Sequence, residues 1–429
     1  MTRPDEGLAH DLFAQLQHLS FDGVGITRDT YGAGEQAAHS LVAELARTHG
    51  LEVQCDAALN LYITLPGQDR SAPKVMTGSH LDSVPRGGNY DGAAGVVAGL
   101  AILVGWKKAG VVPACDVTVV AIRAEESAWF PLSYIGSKSI FGLLDAQALL
   151  VCRFDTQRRL ADHLSALGGQ PDVLAQQVAT FSPQQIQCFI ELHIEQGPVL
   201  LDADLPVGIV TGICGSLRYR HAKVTGEYAH SGATPRSHRH DAVVATAELI
   251  THLHTIWQQM EGAGHELTLT FGQLQTDPQQ ADFSKVSGQV NFCIDIRSRS
   301  RETLAEMDRH IVQHVATLSQ RHGVQFDLGP VTGSAAAQMD DTIQAQLLSA
   351  VQDLGCPMHR MPSGAGHDAA MFANQGIPTG MVFVRNAHGS HNPHEAMARQ
   401  DFNLATQVLS TVLAQRAGLT LNDYERMSS

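Results

Sequence analysis

No two of the chain's cysteines stand in a C-x-x-C pair. The seven present, Cys55, Cys115, Cys152, Cys188, Cys214, Cys293 and Cys356, are odd in number and scattered. That pattern excludes a disulfide framework and reads as buried thiols in a reducing compartment. No uninterrupted apolar run approaches the length of about 18 residues that spans a membrane. The N-terminal stretch MTRPDEGLAHDLF carries acids and no apolar core, so a secretory signal is not expected. Positive charge is also short: 29 Lys and Arg against 43 Asp and Glu give a formal charge of -14, with no basic run. Such a surface excludes nucleic acid and anionic membranes as partners, although a local positive site for a carboxylate stays open. There is no G-x-S-x-G elbow, no Walker A loop and no dinucleotide-binding glycine motif. Internal repeats and low-complexity segments are absent too. A cytoplasmic protein is expected.

Histidine is abundant, with 22 residues in a chain of 429. Imidazole is a common metal ligand and general base. The length suits two domains, and an apolar content of 44% suits a packed core.

Helical spacing marks the first stretch through about Thr48, with Leu8, Leu12, Phe13, Leu16 and Leu19, then Ala38, Leu41 and Leu45. Strands are expected at 74–78, 117–122 and 187–193, with an apolar helix over 92–109. This strand–helix alternation predicts an α/β fold whose mixed sheet is covered by helices. Between 213 and 328 the pattern changes to βαββα: alternation over 217–226 and 290–297, a strand at 266–271, and helices over 241–258 and 302–321. It predicts an inserted α+β, ferredoxin-like domain. The α/β pattern then resumes, with a strand at 380–384 and a helix at 402–414. Domains are therefore expected at 1–212 plus 329–429, and at 213–328.

Potential metal ligands gather at the ends of the expected strands. His80 and Asp82 stand two apart beyond one strand, and Asp91 precedes a helix. Glu125 and Glu126 follow the next strand, and His193 lies in Glu191-Leu-His-Ile-Glu195. His391 stands in Gly389-Ser-His-Asn-Pro-His-Glu395. Open α/β sheets bind ligands outside the carboxyl ends of their strands, so these segments can converge. Polar residues also favour strand ends for ordinary reasons, and spacing alone leaves both readings open.

Six blocks in order between residues 77 and 396 carry a resemblance: GSHLDSVPRGGNYDGAAGV, AEES, ELHIEQGPVL, AHSGATP, SGAGHDAAMFA and GSHNPHEA. Together they are similar to the M20-type metallo-aminoacylase superfamily, and within it to the allantoate amidohydrolase, N-carbamoyl-L-amino acid hydrolase and β-ureidopropionase branch. The resemblance implies a zinc-peptidase-like catalytic domain, an inserted dimerisation or lid domain, and two divalent metal ions per subunit. Zinc is the first expectation, with manganese, cobalt and nickel open. It implies His80, Asp91, Glu126, His193 and His391 as ligands, Asp91 bridging. It also implies Glu125 as general base, Asp82 as the acid orienting His80, and His230 as the oxyanion-stabilising group, often supplied by a partner subunit. A homodimer is expected for that reason.

By the same resemblance Arg297 clamps a substrate carboxylate, while Gln196, Gly364 and His367 line the pocket. A strand-surface ion pair for Arg297, and a tight turn at 364–366, are the plain alternatives. Two departures stand out. The run Glu125-Glu-Ser-Ala-Trp129 lacks the Gly and Arg that relatives have, with Trp129 in the place of that Arg. Ser284 replaces an Asn of the substrate site, and Trp129 is either pocket wall or core packing. The expected activity is hydrolysis of the C–N bond in a small N-carbamoyl-L-amino acid or related ureido acid. Allantoate hydrolysis and M20-type aminoacylase or dipeptidase activity are the alternatives.

Overall fold

The computed structural model describes residues 3–419. The chain divides into two compact units. The first holds the residues through Thr211, Met339–Ser363 and those from His367 onward; the second holds Gly212–Gln338 and Gly364–Gly366.

In the first unit the strand order is Glu52–Cys55, Leu61–Leu65, Val117–Ile122, Lys74–His80, Ile186–Ile194, Thr379–Val384 and Val207–Ile213. The four central strands run parallel; Leu61–Leu65 and Val207–Ile213 flank them antiparallel. The sheet is thus mixed. Val117–Ile122 is buried along its whole length, as a strand covered on both faces must be, which is why it reads as one apolar run.

Helix Ala93–Lys108 is buried on nearly every side, so its sequence is apolar all round and shows no stripe. Its start is fixed by Gly92, whose φ is +66° and whose missing Cβ would collide with the His80 ring. Only glycine combines that backbone with that approach. Helices Glu6–Ser20, Ala33–Thr48, Asp341–Asp353 and Arg399–Arg416 contribute to the same apolar core.

The second unit has a sheet with the path Leu274–Thr276, Gln289–Ser298, Gly215–Thr225, Gln325–Asp327. Thr268–Thr270 adds to Gln289–Ser298, and Val331–Ser334 to Gly215–Thr225. The latter pairing keeps the chain in this sheet past residue 328. Val290, Phe292, Ile294, Ile296 and Ser298 are buried while the residues between them are partly exposed. That period of two marks a sheet with one covered face. Helices Ala242–Gly262 and Arg301–His322 contribute to this unit's separate core. Among the described residues no helix is long and apolar enough to cross a membrane.

Candidate metal centre

Four parallel strands end on one side of the first sheet, and each delivers part of a cluster. His80 closes the first, and Glu125 and Glu126 follow the second. His193 is the penultimate residue of the third, and His391 lies beyond the fourth. Asp91 comes from the turn before the buried helix.

The Asp91 carboxylate divides between two groups. Its Oδ1 lies 3.3 Å from His193 Nε2 and 3.6 Å from His80 Nε2. Its Oδ2 lies 3.3 Å from His391 Nε2, which is also 3.3 Å from Glu126 Oε1. Two clusters able to hold a cation result, His80–Asp91–His193 and Asp91–Glu126–His391, sharing Asp91. A third grouping, Glu191–His193–His367, adjoins the first. The Glu191 oxygens are already bonded to the Ser79 hydroxyl and the Ala369 amide, so Glu191 acts as a clasp.

Ring orientation suits ligation. His193 Nδ1 bonds the Ile194 carbonyl at 2.9 Å, and His80 Nδ1 contacts the Asp82 carbonyl at 3.1 Å and its carboxylate at 3.3 Å. Each ring keeps Nε2 aimed at Asp91, the arrangement that fixes tautomer and orientation in metal-bound histidines. Asp82 is fully buried and also accepts from the amides of Glu125 and Glu126 and from the Thr30 hydroxyl. One carboxylate therefore positions one expected ligand and the segment bearing the expected base.

Electrostatics test whether cations fit. Burial normally depresses a histidine pKa. It does so at His80, but Asp82, Glu125 and Asp91 overcome it and hold the imidazole well above its ordinary value. Asp91 and Glu126 push His391 up to about 11. Burial works against ionised Asp91, yet His193 and His391 keep its carboxyl well below the carboxylate range. Burial first, then Glu126, Asp368 and Asp82, raise Glu125. Asp82, Asp91, Glu125, Glu126, Glu191, Asp368 and Glu395 are all buried, and such a group is costly without compensation. The donor set therefore fits two divalent cations, as a binuclear centre requires.

The other expected residues separate by unit. Gln196 joins the centre, its Nε2 donating to Asp91 Oδ2 at 2.8 Å. His367 packs edge-on against His193 with ring centroids 4.5 Å apart and bonds the Ser363 hydroxyl at 2.8 Å. His230, Ser284, Arg297 and Gly364 belong to the second unit. Arg297 donates to the Gly364 carbonyl at 3.1 Å, so those two meet. Ser284 bonds Asp282, while its carbonyl accepts from the Ser231 amide beside His230. Trp129 is half-buried beside a small satellite core, its indole N–H donating to the Ser83 carbonyl at 2.8 Å and its ring under Arg153.

Sequence reasoning left several participants unassigned. Glu395 accepts from the amides of Tyr90 and Asp91, and Ser390 bridges Glu395 and Asp91. Arg28, wholly buried, bonds the Leu81 carbonyl and Asn89. Glu191 was legible: it precedes His193 by two in a strand, hence shares its side of the sheet. Arg28 gave no such signal, because its partners are 53 and 61 residues away.

Residues 76–415 match the model of peptidase family M20/M25/M40. The chain belongs to this family. It is 35% identical over 394 residues to the N-carbamoyl-L-amino acid amidohydrolase of Geobacillus stearothermophilus, covering 92% of this chain and 94% of that one. It is 31% identical over 396 residues to the allantoate amidohydrolase of Escherichia coli K12, covering 92% and 93%. A crystal structure of a hydantoinase/carbamoylase family amidase from Burkholderia multivorans superposes with a TM-score of 0.83 at 26% identity, covering 97% and 98%. Within M20 the chain falls in the hydantoinase/carbamoylase branch, as a hydrolase of C–N bonds with an α/β catalytic unit and a β-rich insertion.

Proposed function

We propose that this protein hydrolyses a small N-carbamoyl-L-amino acid or related ureido acid, with two divalent ions held by His80, Asp91, Glu126, His193 and His391. The observation that carries the reading is the Asp91 carboxylate, one oxygen toward each cluster. When bound, the ions supply Lewis acidity to the scissile carbonyl and to the attacking water. Glu125 takes the proton of that water and returns it to the leaving nitrogen. Its buried setting, which favours the protonated acid, suits the second half of that transfer. Asp82 holds His80 and the Glu125 segment in register. Cleavage at the carbamoyl carbon releases the free amino acid and carbamic acid, which decomposes to carbon dioxide and ammonia.

Arg297 is assigned to the substrate carboxylate, with Gly364, Ser284, Gln196 and His367 around the substrate. His230 is assigned to the developing oxyanion. Its Nδ1 accepts from the amides of Gly232 and Ala233, each at 3.1 Å, so Nε2 carries the proton and is a donor. We assign a homodimer. Its support is the edge strand Leu274–Thr276, which with Val243, Thr246, Ala247 and Ile250 of the adjacent helix lines an open groove of about 550 Å³. A cytoplasmic location accords with seven free thiols.

The test is ammonia release by metal-reconstituted enzyme from N-carbamoyl-L-amino acids and allantoate, with N-acetyl amino acids and dipeptides scored by free amine. Ammonia that is lost with chelator and restored by metal supports the reading. Free amine from acyl or peptide substrates alone would move the protein to the aminoacylase–dipeptidase reading.

A further inference from the structure

On the open face of the second sheet two arginines share one acid. Asp295 Oδ1 lies 3.1 Å from Arg218 Nε. Asp295 Oδ2 accepts from both Nε and Nη2 of Arg297, at 3.2 and 3.1 Å. Register explains the meeting. Asp295 stands opposite Arg218 on the neighbouring strand, and Arg297 follows two residues on, on the same face. The third contact of Arg297 comes from a different segment, with Nη1 donating to the Gly364 carbonyl. All three side chains are partly open to solvent, at 20%, 30% and 33%.

A guanidinium has five N–H groups. Asp295 takes the Nε–H and one Nη2–H, and Gly364 takes one Nη1–H. One N–H then remains on each terminal nitrogen, open to an incoming carboxylate. The side-on edge, one bidentate approach, is occupied by the protein itself.

We infer that Asp295 is a positioning residue for substrate binding: it closes the side-on edge of Arg297 and holds the guanidinium so that its terminal N–H pair receives the substrate carboxylate. This rests on the proposed role of Arg297. Asp295 does not touch the substrate. It removes in advance the rotamer freedom that a long half-exposed arginine would otherwise lose on binding. It also sits between two like charges, since it bonds both Arg218 and Arg297, which stand diagonally across the paired strands. Loss of Asp295 has an opposing effect too, because it removes a negative charge beside an anion site. The two effects move KM in opposite directions, and the loss of positioning is the larger.

The experiment compares an N-carbamoyl-L-amino acid with its carboxamide analogue, which cannot form the charged fork. Metal content and melting temperature are followed alongside. Wild type should prefer the acid, and Arg297→Met should abolish that preference. Asp295→Ala should raise KM for the acid about tenfold at unchanged kcat and leave the amide unaffected. Asp295→Asn, which keeps an acceptor oxygen, should fall between. An unchanged or lower KM for the acid in Asp295→Ala, with Arg297→Met still abolishing the preference, overturns the inference and spares the Arg297 assignment. A preference that survives Arg297→Met overturns that assignment, and this inference with it.

Discussion

The two units handle charge in opposite ways. In the first, carboxylates are sunk below the surface among histidines, and Arg28 and Arg123 are buried beside acids. In the second, the charged residues Arg218, Asp295 and Arg297 sit on a half-open sheet face and satisfy one another. Buried charge demands a permanent counter-charge, whereas a half-open arginine can exchange one anion for another at modest cost. The first arrangement suits resident cations and the second suits a ligand that comes and goes.

The sharpest way to break this contrast is to remove the shared carboxylate. Asp91→Asn keeps the shape but withdraws the charge that both clusters use. Metal content by elemental analysis should fall, and activity should drop to background. Retention of two ions per chain with only a partial rate loss would show that the clusters do not depend on Asp91. Glu125→Gln comes next. Its kcat should fall by roughly 10²–10⁴-fold, the usual worth of a general acid–base, with metal content unchanged. Metal loss in that variant would reassign Glu125 from base to ligand.

The third change probes the second unit alone. Phe292 is buried on the covered face of its sheet, in a core separate from that of the first unit. Phe292→Ala should cost about 3–5 kcal/mol in denaturant unfolding. Metal content should remain at the wild-type value. Loss of bound metal in the folded variant would mean that the two regions are not independent in the way their cores suggest.

Much of the fold was legible because burial writes itself into sequence. The strand Val117–Ile122 and the alternation of Gln289–Ser298 follow from two covered faces and one covered face. The short strands Glu52–Cys55, Leu274–Thr276 and Gln325–Asp327 did not stand out, since mostly exposed edge strands carry little apolar pattern. At the site, the spacing of His80, Asp82 and Asp91 gathered candidates, and the family resemblance gave them roles. Ser390 and Glu395 were in view as neighbours of His391, yet nothing in the spacing told that they brace Asp91 from 299 and 304 residues away. Long-range hydrogen bonds among polar loops have no periodicity to betray them.

Trp129 gives the smallest predicted effect. As a pocket wall it would set substrate preference, and replacing it would change which side chains are accepted. The structure instead gives its indole N–H a fixed partner, the Ser83 carbonyl, and lays Arg153 over its ring with the guanidinium carbon 4.6 Å from the centroid. Ser83 follows Asp82, so the indole fastens the segment that orients His80 to the loop after Glu126. Trp129→Phe keeps an aromatic ring, though a smaller one, and deletes the hydrogen bond. The expected loss is about 1 kcal/mol of stability, the net worth of one such bond. The order of preference among N-carbamoyl amino acids should stay unchanged across the same substrate panel. A reordered panel at undiminished stability would place Trp129 against the substrate and make the missing arginine a change of specificity. An unchanged panel would make Trp129 a brace, supporting the buried centre through the backbone beside it.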